Sequence, residues 1–308
     1  MLKLKFGEIT EDNMNRPMNS KDFNKALLSY GIEVVEQKQD VSFCDIHQPL
    51  ESGPIIAWDR RSTSLLTPRA REKGENNNNV IGFCIPTLAL EPEKSIALKV
   101  YDYGEEGYLG SKKPIEVISP FIWWHLICKP WTKKIERRPL PEKDLRASFL
   151  GSTYYRNVPW TSNHRYQLMK AWPHKGTYAV FNGQVKNKRG FNQEQHYSIV
   201  ARSKIVVCPF GISEYCIRDY EAILSGAILV KPEQSKISIY QNPWEMGTTV
   251  YCEQDWSDLD EALEVADELF IERAELREHN RLSMIATGRN VSIFAKLFSE
   301  AIHRILNP

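Results

Sequence analysis

From residue 146 onward the chain alternates short apolar runs with amphipathic stretches: "RASFLG", "SNHRYQLMKAW", "TYAVFNG", "NQEQHYSIVARS", "KIVVCPF", "SEYCIRDYEAILS" and "AILVKP". "TTVYCEQ" and a helical pattern starting near Ser257 continue it. Apolar runs this short read as strands buried on both faces, and the stretches between them, with apolar residues three and four apart, read as helices. A strand followed by a helix and another strand rejoins its sheet by a right-handed crossover. The sheet is then parallel, with helices on both faces. This half is expected to be a doubly wound α/β domain.

The first half is less regular but starts with the same grammar. In "SKDFNKALLSYGIEVVEQKQDVSFCDI", Ser20 caps a helix that buries Phe23, Ala26, Leu27 and Tyr30, Gly31 stops it, and "IEVV" and "VSFCDI" follow as strands. "GPIIAWD", "VIGFCIP", "SIALKVYDY" and "IEVIS" supply further strands, and "REKGE" with "NNNN" reads as an exposed loop. "CKPWTKKIERRPLPEKDLR", rich in proline and charge, reads as a linker. A chain of 308 residues is long enough for two cores. The expected fold is α/β, two Rossmann-like domains facing across a cleft: residues 1–127, a linker over 128–145, and a second domain over 146–308. "NVSIFAKLFSEAIHRIL" is expected to close that second domain as a helix.

Composition narrows the function classes. With 42% hydrophobic and 26% charged residues the chain is ordinary globular protein, and a net charge of +1 with dispersed basic residues gives no field to recruit nucleic acid. "MLKLKFGEIT" lacks the apolar core of a secretory signal, and no run reaches the ~18 apolar residues of a membrane span. A cytoplasmic protein is expected. The six cysteines lie far apart without a CxxC pair, so they are read as buried free thiols.

"CPFGISEYCIRDYEAILSGAILVKP" is the densest stretch. If its ends are strands, Gly211 and Ser213 fall at a strand's carboxyl end, where open α/β sheets bind ligands. Gly211 permits close approach of a backbone, and Ser213 can cap a helix whose free N–H groups suit a phosphate. Along that helix Glu214, Arg218, Glu221 and Ser225 form one stripe, with Ile217, Tyr220, Ile223 and Leu224 on the buried side. A guanidinium neutralises a diphosphate and a carboxylate one turn on accepts both hydroxyls of a ribose, the roles open to Arg218 and Glu221. The competing reading is a solvated Glu214–Arg218 surface pair of small worth.

"SKIVVCPFG…CIRDYEAILSGAILVKP" resembles the donor-binding segment of GT-B-type glycosyltransferases, and among them the exostosin-like family, through Pro209, Gly211, Arg218, Glu221, Ala222 and Gly226. "ASFLGSTYYR" and "HRYQLMKAW" resemble the first strand and basic helix of the same domain, so the resemblance spans roughly residues 146 to 260. It implies sugar transfer from a nucleotide-sugar donor to a glycan or other hydroxyl acceptor. Many GT-B enzymes carry a glutamate pair one residue further apart than Glu214 and Glu221, which leaves the role of Glu214 open.

Gly151 and Ser152 close the first strand of that domain at the same edge, as ligand contacts or as a plain turn. Arg156 and Arg165 flank the loop, and the resemblance puts Arg165 first. "GQVKNKRGFN" is a basic loop on this edge, closing over phosphates or simply solvated. Asp255 and Asp258 bracket a tryptophan, but Ser257 or Asp258 suits a helix cap better than a metal, and no metal or other cofactor is expected. An inverting transferase needs a base for the acceptor hydroxyl. Asp59, at the end of "PIIAWD", comes first, with Asp45, His47 and Asp102 as alternatives; a retaining mechanism needs none. Against the transferase stands a nucleotide- or sugar-binding module without catalysis. A NAD-dependent oxidoreductase ranks below both, because no βα unit carries G-x-G-x-x-G.

Overall fold

The computed structural model describes residues 1–7, 20–59, 68–85, 112–117, 140–154, 159–173, 176–182, 193–211, 217–233, 246–288 and 290–308. The chain divides into two compact units. The first holds the described residues up to 117 together with 287–288 and 290–308, and the second holds those from 140 to 286.

Six parallel strands form the first unit's sheet: β1 (Leu2–Phe6), β2 (Ile32–Val34), β3 (Val41–Asp45), β4 (Ile55–Trp58), β5 (Val80–Ile85) and β6 (Ile115–Val117). Their order is β2-β1-β3-β4-β5-β6. β1 is not among the strands expected, although Leu2, Leu4 and Phe6 alternate with lysines in the period of two that a strand shows. Helix α1 (Lys21–Leu28) starts as expected, with the Ser20 hydroxyl accepting from the Phe23 N–H at 3.1 Å. Helix α2 (Pro68–Glu75) takes in the whole of "REKGE", expected to be loop, and a turn at 76–79 leads into β5. "SIALKVYDY" and residues 128–139 of the expected linker lie outside the described residues, while 140–145 lead into and begin β7.

In the second unit the parallel strands are β7 (Leu145–Ser152), β8 (Thr177–Asn182), β9 (Ser203–Val207), β10 (Ile228–Pro232) and β11 (Thr249–Cys252), in the order β11-β10-β9-β7-β8. Helices α3 (Pro159–Ala171), α4 (Gln193–Arg202), α5 (Ile217–Leu224), α6 (Leu259–Glu272) and α7 (Ala274–Gly288) accompany them. Side chains sort by parity as a strand requires. Phe149, Ile205, Val207, Ile228 and Val230 pack with Leu168 of α3 and Leu263 of α6, while Leu150, Val206, Cys208 and Leu229 pack with Val200 of α4 and Ala222 of α5. The sheet is thus covered on both faces, and the expected α/β class holds for both units.

The expected closing helix forms as α8 (Val291–Leu306), but it packs in the first unit, not the second. Its stripe answers aromatic residues there: Phe294 stacks on Phe23 with ring centroids 4.7 Å apart, and Phe298 meets Phe43 edge-on at 5.0 Å. Gly82 of β5 admits the helix, because a Cβ there would come within 2.3 Å of Ile305.

Where the second unit begins, the Lys143 ammonium donates to the Ser225 carbonyl at 2.5 Å. Burial, with the charges of Arg277 and Arg281, pushes its pKa down to about 7. The folded value lies below the unfolded 10.5, so between about pH 7 and 10 the unfolded chain binds more protons and this group's contribution to stability rises with pH. Urea titrations of the protein and of Lys143→Met should show the wild-type stability gaining on the variant's across that window.

Candidate functional site

Both sheets share one topological feature. In each, the first strand lies between the second and the third, so the chain reverses its direction of winding at β1/β3 and at β7/β9. Ligands of open α/β sheets bind at such a switch point, beyond the carboxyl ends of the strands.

At the second unit's switch point the end of β7 meets the turn Cys208–Gly211 that follows β9. Three residues of α3 at helical spacing hold that turn. Thr161 donates to the Gly211 carbonyl at 2.8 Å, the His164 ring accepts from the Phe210 N–H at 3.4 Å, and Arg165 Nε and Nη2 donate to the Phe210 carbonyl at 3.3 Å. Burial, followed by the neighbouring Arg165 charge, lowers the His164 pKa to about 3. The ring is therefore neutral and can accept. It stacks on Phe210, and its backbone carbonyl takes the indole N–H of Trp256, a buried residue held at φ +67°.

The two arginines converge on Gly151. Arg165 Nη1 donates to the Ser152 carbonyl at 3.1 Å and Arg218 Nη2 to the Leu150 carbonyl at 2.5 Å, and each guanidinium lies over the Phe149 ring. A Cβ on Gly151 would sit 3.2 Å from an Nη atom of each. Arg165 is only 3% exposed, so it braces the turn as well as carrying charge. Arg218 is half-buried.

Glu221 departs from the expected open stripe. It is 9% exposed, and its Oε2 lies 2.7 Å from Nε2 of His196 on α4; Ser225 is buried too. Tyr220, Ile223 and Leu224 are buried as expected. Beneath the turn, Lys231 of β10 pairs with Asp219 of α5 at 3.1 Å, both fully buried, and its ammonium lies 5.9 Å from the Phe210 ring. Ser213, Glu214, Arg156 and the loop 183–192 lie outside the described residues.

In the first unit, the ends of β3 and β4 bring together three of the four base candidates. Asp45 accepts from the His47 backbone N–H at 2.9 Å, and His47 Nε2 lies 2.9 Å from Asp59 Oδ1. Asp59 is wholly buried, and the His47 side chain is 7% exposed. Lys73 holds the loop by donating to the Ile46 and Gln48 carbonyls. Asp102 lies outside the described residues.

Asp255 and Asp258 serve their own turn, accepting from the Ser257 and Glu253 N–H groups. Asp258 stands at the N-cap of α6, but its side chain bonds backwards and not into the helix. A depression of about 450 Å³ beside it, lined by Gln167, Lys170 and Asp260 among others, includes none of the predicted site residues.

His164, His196, Asp219 and Lys231 were not anticipated from sequence. Thr161, His164 and Arg165 share one helix face, a signal that was there to read. Nothing local links His196 to Glu221.

Fold and edges together define a two-unit, doubly wound α/β protein with a cationic switch point in its second unit. No protein-family model matches the chain, and no curated protein matches it in sequence. Solved structures of similar layout include a UDP-forming α,α-trehalose-phosphate synthase from Burkholderia xenovorans, at 11% identity and TM-score 0.46, with 96% of this chain and 78% of that one covered. A glycotransferase of kitacinnamycin aligns at 10% identity and TM-score 0.38, covering 99% of each chain. A putative UDP-N-acetylglucosamine 2-epimerase from Listeria monocytogenes aligns at 10% identity and TM-score 0.41, covering 99% and 96%. At identities and scores this low the likeness carries no inference about activity.

Proposed function

We propose that the chain is a GT-B-type glycosyltransferase of exostosin-like character, moving a sugar from a nucleotide-sugar donor to a glycan or other hydroxyl acceptor. The observation that carries this reading is the convergence of Arg165 and Arg218 on Gly151 at the β7/β9 switch point, with Glu221 one helical turn from Arg218. Two fixed guanidinium charges over a side-chain-free strand end suit a diphosphate, and the carboxylate suits the ribose beyond it. Gly151 lets the two guanidinium groups close on the strand end, Ser152 and Gly211 lie at the same edge for the phosphates, and Ser213 and Glu214, outside the described residues, keep their expected donor-binding roles in this reading.

The first unit supplies the base. Asp59 keeps a place in the chemistry, but it is buried behind His47. An ionised carboxylate only accepts hydrogen bonds, so it holds the proton on Nε2 and leaves Nδ1 to take the acceptor hydroxyl's proton as the anomeric carbon is attacked. Displacement at that carbon inverts its configuration, and the nucleoside diphosphate leaves with the bonding electron pair.

Calorimetry with UDP, GDP, ADP and CDP tests the donor site. One of them should bind, and Arg218→Ala should weaken it at least tenfold, the loss of a charge-assisted hydrogen bond worth about 1.5–3 kcal/mol. Unchanged affinity in that variant would remove the diphosphate from this edge. Binding without any turnover over a panel of nucleotide sugars and acceptors would make the chain a binding module instead.

The reading includes no metal. Among the described residues no three His, Cys, Asp or Glu side chains are grouped to hold an ion, and the arginines take the neutralising role. Activity should survive EDTA, and complete loss restored by manganese would overturn this part. Among the described residues, no helix is long and apolar enough to cross a membrane.

A further inference from the structure

A carboxylate inside a covered helix is costly unless it is paired. Glu221 meets that cost by reaching out of α5 to α4, and the partner it finds is a single histidine at 2.7 Å. Both side chains keep 12% of their surface exposed. His196 is the fourth residue of α4, which follows β8, and Glu221 is the fifth of the eight in α5, one turn on from Arg218, so the pair lies next along the helix from that arginine. No second partner of the Glu221 carboxylate is found among the described residues.

We propose that His196 is a positioning residue of the donor site: by holding Oε2 of Glu221 it turns Oε1 toward the ribose, and so makes the site selective for ribo- over 2′-deoxyribonucleotides. This rests on the donor-site reading above and names what that site discriminates. A glutamate side chain has three rotatable bonds, and an unheld carboxylate would lose much of its hydrogen-bond energy to ordering. The imidazole removes that freedom in advance. With the Nε2–H donated to Oε2, Oε1 keeps its lone pairs for a sugar hydroxyl. A site built to hydrogen-bond a hydroxyl rejects the analogue that lacks it, because its own polar group is left unpaired.

The test is calorimetry on the full chain with the nucleoside diphosphate that binds and with its 2′-deoxy counterpart. Wild type should prefer the ribo form at least tenfold, and Glu221→Gln should reduce that preference. His196→Phe, which keeps a ring but no donor, should bring the preference below about threefold while the affinity for the deoxy form stays put. His196→Gln, which restores an N–H donor at similar reach, should recover most of it. Adding His196→Phe to Glu221→Gln should change nothing further. Three outcomes would overturn the proposal: full discrimination in His196→Phe, equal loss of affinity for both nucleotides in that variant, or no recovery in His196→Gln. If the wild-type protein binds no nucleoside diphosphate, the donor-site reading falls and this inference with it. If wild type and Glu221→Gln behave as stated and the His196 variants do not, the inference alone falls.

Discussion

His47→Gln and Asp59→Asn should each lower turnover by a factor of roughly 10² or more, the ordinary worth of a positioned general base, while nucleotide affinity stays at the wild-type value. The separation of effects follows from architecture: the pair lies in the first unit and the arginines in the second. Asp59→Asn keeps the shape of a wholly buried residue and removes its charge, so the imidazole loses both its fixed tautomer and the carboxylate that stabilises its protonated form. Residues acting as one unit are not additive, and the double variant should be no slower than the worse single one. Single-turnover rates and calorimetry on the same preparations check this. Near-normal turnover in both single variants would move the base to Asp45 or Asp102, or point to a retaining mechanism without one.

Asp219→Ala or Lys231→Ala should cost up to about 3–5 kcal/mol of stability, since either removes the 3.1 Å ion pair from a charge that stays fully buried. Against a total of about 5–15 kcal/mol for an ordinary domain, that is enough to shift the urea midpoint far down or to unfold the second unit. The combined change Lys231→Met with Asp219→Leu should lie much closer to wild type, because it removes both charges and fills their space. The location gives the pair a second consequence. Lys231 underlies Phe210, whose backbone carries the bonds from His164 and Arg165, so a single variant that still folds should also bind nucleotide more weakly. Single variants within 1 kcal/mol of wild type would show that the site is wetter than its zero exposure implies.

What could be read from the sequence was local. The short apolar run in "KIVVCPF", the stripe in "NVSIFAKLFSEAIHRIL" and the Ser20 cap are set by contacts within a few residues, and each of these elements formed. The parallel α/β class was equally legible, because alternating strands and helices leave few other ways to close a sheet. At the site, Gly151 is legible from its place at a strand's end and Arg218 from the charged stripe of its helix, and the two do meet. That Arg165 and Arg218 would converge on one glycine was not legible, since it depends on β7 lying beside β9 and not beside a later strand.

Helix α8 shows why pattern alone falls short. Its apolar stripe says that it must be buried, but any open sheet face would satisfy that demand. The partners it finds there, Phe23 and Phe43 among them, and the bare backbone at Gly82 select the first unit. Charges behave likewise. The stripe through Arg218 and Glu221 looked solvent-facing because a lone helix has one polar side, and α4 then supplied a histidine for Glu221. The sequence by itself determined element type, caps and the parallel class, because propensity and periodicity act over a few residues. Tertiary structure alone decided that His47 stands in front of Asp59, His196 behind Glu221 and Lys231 under Phe210. Each of those pairings joins segments from 12 to 25 residues apart, and their distance in space is set by strand order and register, which no local energy encodes.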